Sequence, residues 1–387
     1  SDNYQKIIIM ATHSTEMIKI SKADDLLCYI FCNDLKEEPI QIQSEAGELK
    51  NHKIKSLIAR LGQEHKLALF SRTPLLVEGP SDVIICNAIS DKLYLNLEAA
   101  GSQILPINGK EAMPETVKLI RLMGKTPTVL VDADAFADGL SLVNAYFDND
   151  NIRMKADSLV SNLGASSIKK LANEIYSDFC KMIANDWDSI SNIAQLHPYF
   201  TLSDNELLNK KRAALCSLFT NENLPTNWIS LRSRLISLFD IFEKCGLFIL
   251  KKGAIESYYH DNNTITDKID DSIVESDYIY SLNDENILRD YNDILNCLKF
   301  ASNSEVIDES KAIRDELLTF ISPIHARFAD GENLENNINS SPIFNYHVSD
   351  NKLSISMNSK VLDVKGFPFV LEKDDDIRKI VNKNLQI

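Results

Sequence analysis

The sequence predicts an α/β fold, in which a parallel sheet is flanked by helices and carries a helical insertion and an α+β C-terminal extension. Short aliphatic runs at residues 75–77, 103–107 and 128–131 are typical of strands that are covered on both faces. Helical patterns separate these runs, and strands that alternate with helices form parallel sheets with right-handed crossovers. Acidic residues follow two of the runs, at the edge where open α/β sheets bind ligands.

Composition limits the classes of function. The chain has 387 residues, a hydrophobic fraction of 44% and a formal net charge of −15. The length favours about two or three domains. The charge argues against nucleic-acid binding by charge alone, unless basic residues cluster locally or metal ions offset the acids. The 7 scattered cysteines, without zinc-type spacing, predict a reducing, cytoplasmic compartment. No apolar run reaches the roughly 18 residues of a membrane span, so no membrane partner is expected.

Residues 1–70 are predicted to hold a strand over 6–10, a Thr-His-Ser loop centred on His13, a helix, and two β-type segments within 26–43. Apolar residues at helical spacing over 51–70 predict an amphipathic connecting helix. An isolated His in a loop is as often structural as functional, which leaves His13 open. No Gly-x-x-x-x-Gly-Lys-[Ser/Thr] phosphate loop occurs in the sequence.

Glu78 ends the first aliphatic run, and Gly79 permits a tight bend behind it. Pro80 and Asp82 then stand in the first turn of a helix that extends to Leu93. A glutamate that finishes an apolar strand has little structural purpose, which favours a functional role for Glu78. The alternative for Asp82 is a charge that faces the helix dipole.

Asp132 and Asp134 follow the run at 128–131. Side chains two apart on an extended chain point the same way, so both carboxylates are expected to face one point. Two acids held close together repel each other unless a cation lies between them. The alternative is a solvated loop that holds two aspartates by chance.

The stretch 140–245 interrupts the sheet between its third and fourth strands. Its pattern predicts helices over 158–180, 189–196, 205–219 and 228–242. Its basic residues are either solvated helix faces or part of a wall that contacts phosphates. They include Lys169, Lys170, Lys210, Lys211, Arg212, Arg232 and Arg234.

The fourth strand is predicted over 247–250, with Lys251 and Lys252 at its C-terminal edge and Glu256 opening the next helix. Taken alone, the two lysines are an ordinary strand-end pair.

After residue 262 the functional signal fades, and 263–387 is predicted to be an extension of unknown role. Helical patterns cover 285–300 and 309–328. Alternating hydrophobicity over 345–357 predicts a hairpin that turns at 349–351.

These motifs together carry a resemblance. Val-Glu-Gly-x-Ser-Asp at 77–82, a strand that ends in Asn-Gly at 108–109, and Val-Asp-Ala-Asp at 131–134 resemble a Toprim domain. The strand, Thr-His-Ser loop and helix before residue 70 resemble the closing part of an ABC-type ATPase domain. In combination they resemble the OLD family of ATPase–Toprim nucleases, which includes the Gabija nuclease. The match covers roughly residues 5–140 and 245–262.

The resemblance implies a DNA endonuclease of an anti-phage defence system, controlled by an ATPase domain. His13 would contact the γ-phosphate of ATP in the intact ATPase, whose front half the sequence lacks. The chain is therefore expected to be a fragment that does not hydrolyse ATP alone, and to form a homo-oligomer through the ATPase part. A partner protein or nucleic acid of the defence system is also expected. The implied domains are 1–70, 71–262 with the insertion, and 263–387.

The resemblance also implies two Mg²⁺ or Mn²⁺ ions and a set of site residues. The expected metal ligands are Glu78, Asp82, Asp132, Asp134 and Glu256. Glu78 and Asp132 would hold one ion, and the other three acids would hold the second. Lys252, or else Lys251, would stabilise the charge that develops on the phosphoryl group.

Two other functions remain open. A strand-end Asp-x-Asp also occurs in phosphotransferases of the haloacid-dehalogenase type, with Asp132 as nucleophile. That scheme has no role for the Glu78-x-x-x-Asp82 pair. The other alternative is a catalytically dormant docking or regulatory module.

Overall fold

The computed structural model describes residues 10–11, 14–18, 20, 23–31, 40–42, 50–59, 66, 70–107, 109–161, 163–201, 204–260, 267–302, 309–332, 334, 341, 343–357 and 366–385. Contacts divide the chain into two compact units, 1–304 and 305–387. His13 and the predicted strand at 6–10 lie almost wholly outside the described residues.

The first unit contains six short strands. They are β1 (Ile30–Phe31), β2 (Ile40–Gln41), β3 (Leu75–Val77), β4 (Ile104–Pro106), β5 (Thr128–Val131) and β6 (Leu247–Ile249), within the described part of the unit. The last four form one parallel sheet in the order β4-β3-β5-β6. The parallel directions bring the C-terminal ends of β3, β5 and β6 to one rim. The predicted α/β fold class is confirmed.

Helices surround this sheet. Their bounds are α1 (His52–Ala59), α2 (Pro80–Lys92), α3 (Met113–Leu122), α4 (Asp134–Ala137), α5 (Ser141–Tyr146), α6 (Asp150–Ser161), α7 (Ile168–Asn185), α8 (Trp187–Ala194), α9 (Glu206–Thr220), α10 (Thr226–Lys244), α11 (Lys268–Ser281), α12 (Asp284–Asp290) and α13 (Asn292–Ser302). No helix of the described residues is long and apolar enough to cross a membrane.

Both faces of the sheet are buried, as the aliphatic runs require. Successive strand residues point to opposite faces. Leu75 and Val77 belong to a core that includes residues of α2 and α13. Leu76 belongs to a second core that includes residues of α3 and of the insertion helix α10. The sheet is therefore a rigid support for side chains at its rim.

Several element boundaries differ from prediction. The helix predicted over 158–180 is two helices, α6 and α7; Gly164 has a φ of +76° between them, and the Ser167 side chain accepts the Lys170 N–H at the start of α7. The helix predicted over 285–300 divides at Tyr291 into α12 and α13. In the β-type segment predicted over 26–32, residues 26–28 end a 3₁₀ helix, Ala23–Cys28, and the strand β1 covers Ile30–Phe31.

Helices α11 and α13, which follow residue 262, pack within the first unit, α11 against α2 and α13 against β5. The division into compact units falls after Ser304 instead of near residue 262. The functional domain boundaries stay a prediction.

The second unit has its own core, which includes Leu317, Ile321 and Leu353. Its elements are α14 (Glu309–Ala329), β7 (Phe344–Ser349), β8 (Lys352–Met357), β9 (Phe369–Leu371) and α15 (Ile377–Leu385). The predicted hairpin is confirmed: β7 and β8 pair antiparallel, and Asp350 and Asn351 adopt the positive φ angles that a tight two-residue turn needs.

Candidate metal centre

Three carboxylates meet at the C-terminal rim of the sheet. Glu78 follows β3, and Asp132 and Asp134 follow β5. One oxygen of each lies within 4.8 Å of the others, which makes the trio a candidate metal-binding group among the described residues. Glu78 Oε1 also accepts the N–H of Asp132 at 3.0 Å, so the two strand ends are tied directly.

The two aspartates converge for a reason other than the predicted one. The chain does not stay extended after β5, because Ala133 is in the αR region and Asp134 begins the short helix α4. The Ala133 N–H donates to the carbonyl of Gly253 at 3.0 Å, which fixes this turn against the loop after β6. The carboxylates therefore meet through a tight turn instead of strand periodicity.

Asp82 combines a capping role with proximity to the cluster. Its Oδ2 accepts the Gly79 N–H at 2.8 Å at the start of α2, which supports the structural alternative. Burial raises the pKa of Asp82 to about 6, and the charge of Glu256 acts in the same direction.

The acids of the cluster have raised pKa values, because they are buried and repel one another. Burial raises the pKa of Glu78 to about 7, and the charges of Asp134 and Asp82 add to this effect. Burial also holds the pKa of Asp132 well above its usual range, reinforced by the charges of Glu78, Asp82, Asp134 and Glu256. Such a group favours a proton or a cation between its members.

Glu256 reaches this neighbourhood from the loop after β6. It lies in a 3₁₀ helix, Ile255–Tyr258, and its charge raises the pKa of both Asp82 and Asp132. Its Oε1 forms an ion pair of 2.7 Å with Lys268 Nζ. The acids of three separate segments are thus electrostatic neighbours, although the closest group is Glu78, Asp132 and Asp134.

Lys251 and Lys252 do not contact this group. Lys251 pairs with Glu243 at 2.6 Å and with Asp293 at 3.4 Å. Lys252 Nζ donates to the carbonyl of Asp290 at 2.8 Å. A catalytic role for Lys252 stays a prediction that needs a change in the direction of its side chain.

Two other cations, for which the sequence predicted no place at the acidic cluster, lie beside the acids instead. Lys110 Nζ bridges Asp134, at 2.5 Å, and Asp138, at 2.7 Å. Arg212 from the insertion helix α9 holds Asp138 with two bonds of 2.7 and 2.6 Å, and its Nε lies 4.0 Å from Asp134. Lys110 could have been found from the sequence, because it follows the end of a predicted strand. Arg212 could not be told apart from the other six basic residues named in the insertion.

The residues present fit a hard divalent cation. The donors are carboxylate oxygens, which Mg²⁺ and Mn²⁺ prefer over the nitrogen and sulfur ligands typical of zinc. Asp134 Oδ1 is buried and has no hydrogen-bond partner, so one oxygen of the cluster is available for a ligand.

Comparison with known families agrees with this geometry. Residues 69–134 match the model of the family described as overcoming lysogenization defect protein-like, TOPRIM domain. This stretch is therefore similar to an OLD-like TOPRIM domain. It includes Glu78, Asp82, Asp132 and Asp134, and it ends before Glu256. No curated protein and no solved structure matches the chain.

Proposed function

We propose that this chain is a Mg²⁺- or Mn²⁺-dependent endonuclease that cleaves phosphodiester bonds of DNA. The observation that carries the proposal is the convergence of Glu78, Asp132 and Asp134 oxygens within 4.8 Å at the rim of an OLD-like TOPRIM sheet. TOPRIM domains are typically metal-dependent nucleases or related enzymes, and the cluster has the donor chemistry that such an activity needs.

The acids divide into two sets in this proposal. Glu78 and Asp132 hold one ion, and Asp82, Asp134 and Glu256 hold the second. Metal held by these acids would supply positive charge that stabilises the attacking and leaving oxygens of an in-line displacement. The hydrogen bond from the Asp132 N–H to Glu78 holds the two acids of the first pair next to each other.

Cationic side chains offset the remaining negative charge. Lys110 and Arg212 are fixed beside Asp134 by Asp138, so they can face an anionic substrate at the rim. Asp138 acts as a positioning residue because it orients both cations.

The attacking group is water in this proposal. The neighbouring tyrosines are poor nucleophiles, because burial raises the pKa of Tyr258 and of Tyr259. Tyr258 is also committed to a hydrogen bond with Asp293. Both rings belong to the core beneath the sheet.

The wider setting rests on the sequence resemblance. We infer an effector of anti-phage defence whose cleavage is controlled by an ATPase domain, in whose intact form His13 contacts the γ-phosphate of ATP. Assembly as a homo-oligomer through the ATPase part belongs to the same inference.

The test is cleavage of supercoiled plasmid DNA. Wild type should nick DNA with Mg²⁺ or Mn²⁺ and stop when EDTA is added. Asp132→Ala should lower the rate by about 100-fold or more, because a ligand of the ion is lost. Asp188→Ala, an exposed acid of the insertion, is the matched control and should cleave normally.

Wild-type rates in Asp132→Ala would contradict the proposal. A phosphoryl group trapped on Asp132 would favour the phosphotransferase instead. Metal binding without cleavage of any DNA substrate would favour the docking module.

A further inference from the structure

A basic cavity lies at the end of β6, and none of the acidic trio lines it. Its volume is about 480 Å³, and residues of α9, of α10, of the turn after β6 and of the α12–α13 region line it. The charged lining residues are Arg232, Lys251, Lys252, Arg289, Asp290 and Asp293. A cavity with more cations than acids is unexpected in a chain whose formal net charge is −15.

The two acids of this cavity are already neutralised. Asp290 is held by Arg289 through two bonds of 2.7 and 2.8 Å. Asp293 shares Lys251, at 3.4 Å, with Glu243, and it accepts the hydroxyl of Tyr258. With Glu243 counted, four cations face three acids, so the remaining charge of the cavity is positive.

Two cations of the cavity have no acidic partner within the described residues. Arg232 donates only a long bond of 3.4 Å to the carbonyl of Asn221, and its Nε is buried without a partner. Lys252 donates to a carbonyl, and its Nζ lies 4.6 Å from the centre of the Tyr258 ring. Lys252 also lies close enough to the Asp290 carboxylate to lower its pKa, so Arg232 keeps more of its attraction for an anion than Lys252 does.

We propose that this cavity binds a phosphate group of a nucleic-acid strand, with Arg232 and Lys252 as its ligands. The planar guanidinium of Arg232 suits the several acceptor oxygens of a phosphate. The surplus positive charge disfavours a metal ion.

The position of the cavity indicates which phosphate it takes. Lys251 and Lys252 follow β6, which pairs with β5, the strand that carries Asp132 at its end. A DNA strand that crosses this rim of the sheet would place one phosphate at the acidic cluster and another in the cavity. This assignment of the ligand rests on the proposed nuclease function.

The test compares two arginines of one helix. Arg232 lines the cavity, whereas Arg234 is tied to Asp178 at 2.7 Å and does not line it. Binding of a fluorescent DNA duplex is measured by anisotropy in EDTA, so that metal plays no part. Arg232→Ala should weaken binding by about tenfold and lower the slope of log affinity against log salt by about one. Arg234→Ala should match wild type, and Arg232→Lys should recover part of the loss.

A second measurement separates binding from chemistry. With Mg²⁺, Arg232→Ala should raise the KM for DNA and leave kcat unchanged, because Arg232 does not touch the reacting atoms. Lys252→Ala is judged only by binding in EDTA, because a catalytic role is predicted for Lys252.

The outcomes separate the two proposals. Three results would each overturn the cavity assignment. They are equal losses of binding in Arg232→Ala and Arg234→Ala, normal binding by Arg232→Ala, and no binding of the duplex by wild type without metal. A wild-type chain that binds through Arg232 but never cleaves would retain the phosphate site and overturn the nuclease function.

Discussion

Asp134 divides its two oxygens between different partners. Oδ2 contacts Lys110, while the buried Oδ1 has no partner. Lys110 therefore competes with a divalent ion for one side of this carboxylate. The same ammonium would assist an anionic substrate once the ion is bound.

Because of this competition, Lys110→Ala should change metal affinity and the rate of DNA cleavage in opposite directions. Affinity for Mn²⁺, measured by calorimetry, should rise several-fold, because a competing positive charge is removed from Asp134. The rate of DNA cleavage should fall, because the substrate loses a cation. Lys118→Ala, a helix-surface lysine 3.5 Å from Glu115, is the control and should change neither. Weaker Mn²⁺ binding by Lys110→Ala would show that Lys110 supports the site structurally instead.

The raised pKa values predict a dependence on pH. Glu78 and Asp82 have ordinary pKa values of 4.5 and 3.8, and burial raises them to about 7 and about 6 in the folded chain. Without metal, and between the ordinary and the raised pKa values, the folded state binds more protons than the unfolded state. The free energy of unfolding therefore falls as pH rises from about 4 to 8. A cation favours the ionised acids, so stabilisation by Mg²⁺ should grow over the upper part of that window.

Thermal unfolding at pH 5.5 and pH 8 measures this effect. The increase in Tm on adding Mg²⁺ should be larger at pH 8, and Glu78→Gln should reduce the difference. An equal increase at both pH values in wild type would contradict the assignment of these acids to an ion.

At the residue scale, the acids were predictable because each follows an aliphatic run or opens the next helix. The meeting of Glu78 and Asp132 needed only the rule that parallel strands end at one rim, whereas the position of Asp134 depends on the turn after β5. Lys110 and Arg212 were not predictable as a pair, because Asp138 joins them from a third segment. The direction of Lys252 depends on Asp290 and Tyr258, which no local pattern links to it.

At the scale of elements, Tyr146 connects the starts of two neighbouring strands. Its buried hydroxyl lies 3.0 Å from the carbonyl of Pro127, just before β5, and 2.8 Å from that of Cys245, shortly before β6. This contact helps to set β5 against β6 and so supports the rim at their other ends.

Tyr146→Phe should lower the free energy of unfolding by about 1–3 kcal/mol, because a buried carbonyl loses its hydrogen-bond donor. Chemical denaturation measures this loss, and binding of Mn²⁺ should persist. Tyr94→Phe is the control, since Tyr94 is 86% exposed. An unchanged stability of Tyr146→Phe would show that this hydroxyl does not support the sheet.

Element types were predicted better than element ends. The buried strands are so short that almost every residue is apolar, which made them easy to recognise. The turn at Asp134 was missed because a hydrogen bond from Ala133 to Gly253 fixes it, 120 residues apart along the chain. The break before α7 depends on one glycine and one capping serine, whose effect the surrounding helical pattern conceals.

At the scale of the whole molecule, the second unit has a core of its own. A chain that ends after Ser304 should therefore keep the sheet and the acidic cluster. Its increase in Tm on adding Mn²⁺ should equal that of the chain of 387 residues. Loss of this response in a folded truncated chain would show that 305–387 contributes to the metal site.

The fold class and the later hairpin followed from the sequence, because periodicity and turn residues are local signals. The placement of α11 and α13 against the sheet did not. An amphipathic pattern shows that a helix has a buried face, but it does not identify the surface that covers that face.

The central claim is that acids from separate segments hold one divalent cation at the rim of the sheet. Crystals grown with Mn²⁺ test it most directly, through the anomalous scattering of the ion. We predict a peak with oxygens of Glu78 and Asp132 at about 2.0–2.3 Å, close to the Mg²⁺ range, and a second peak beside Asp134. Mn²⁺ bound only elsewhere, with Lys110 still paired to Asp134, would contradict the account.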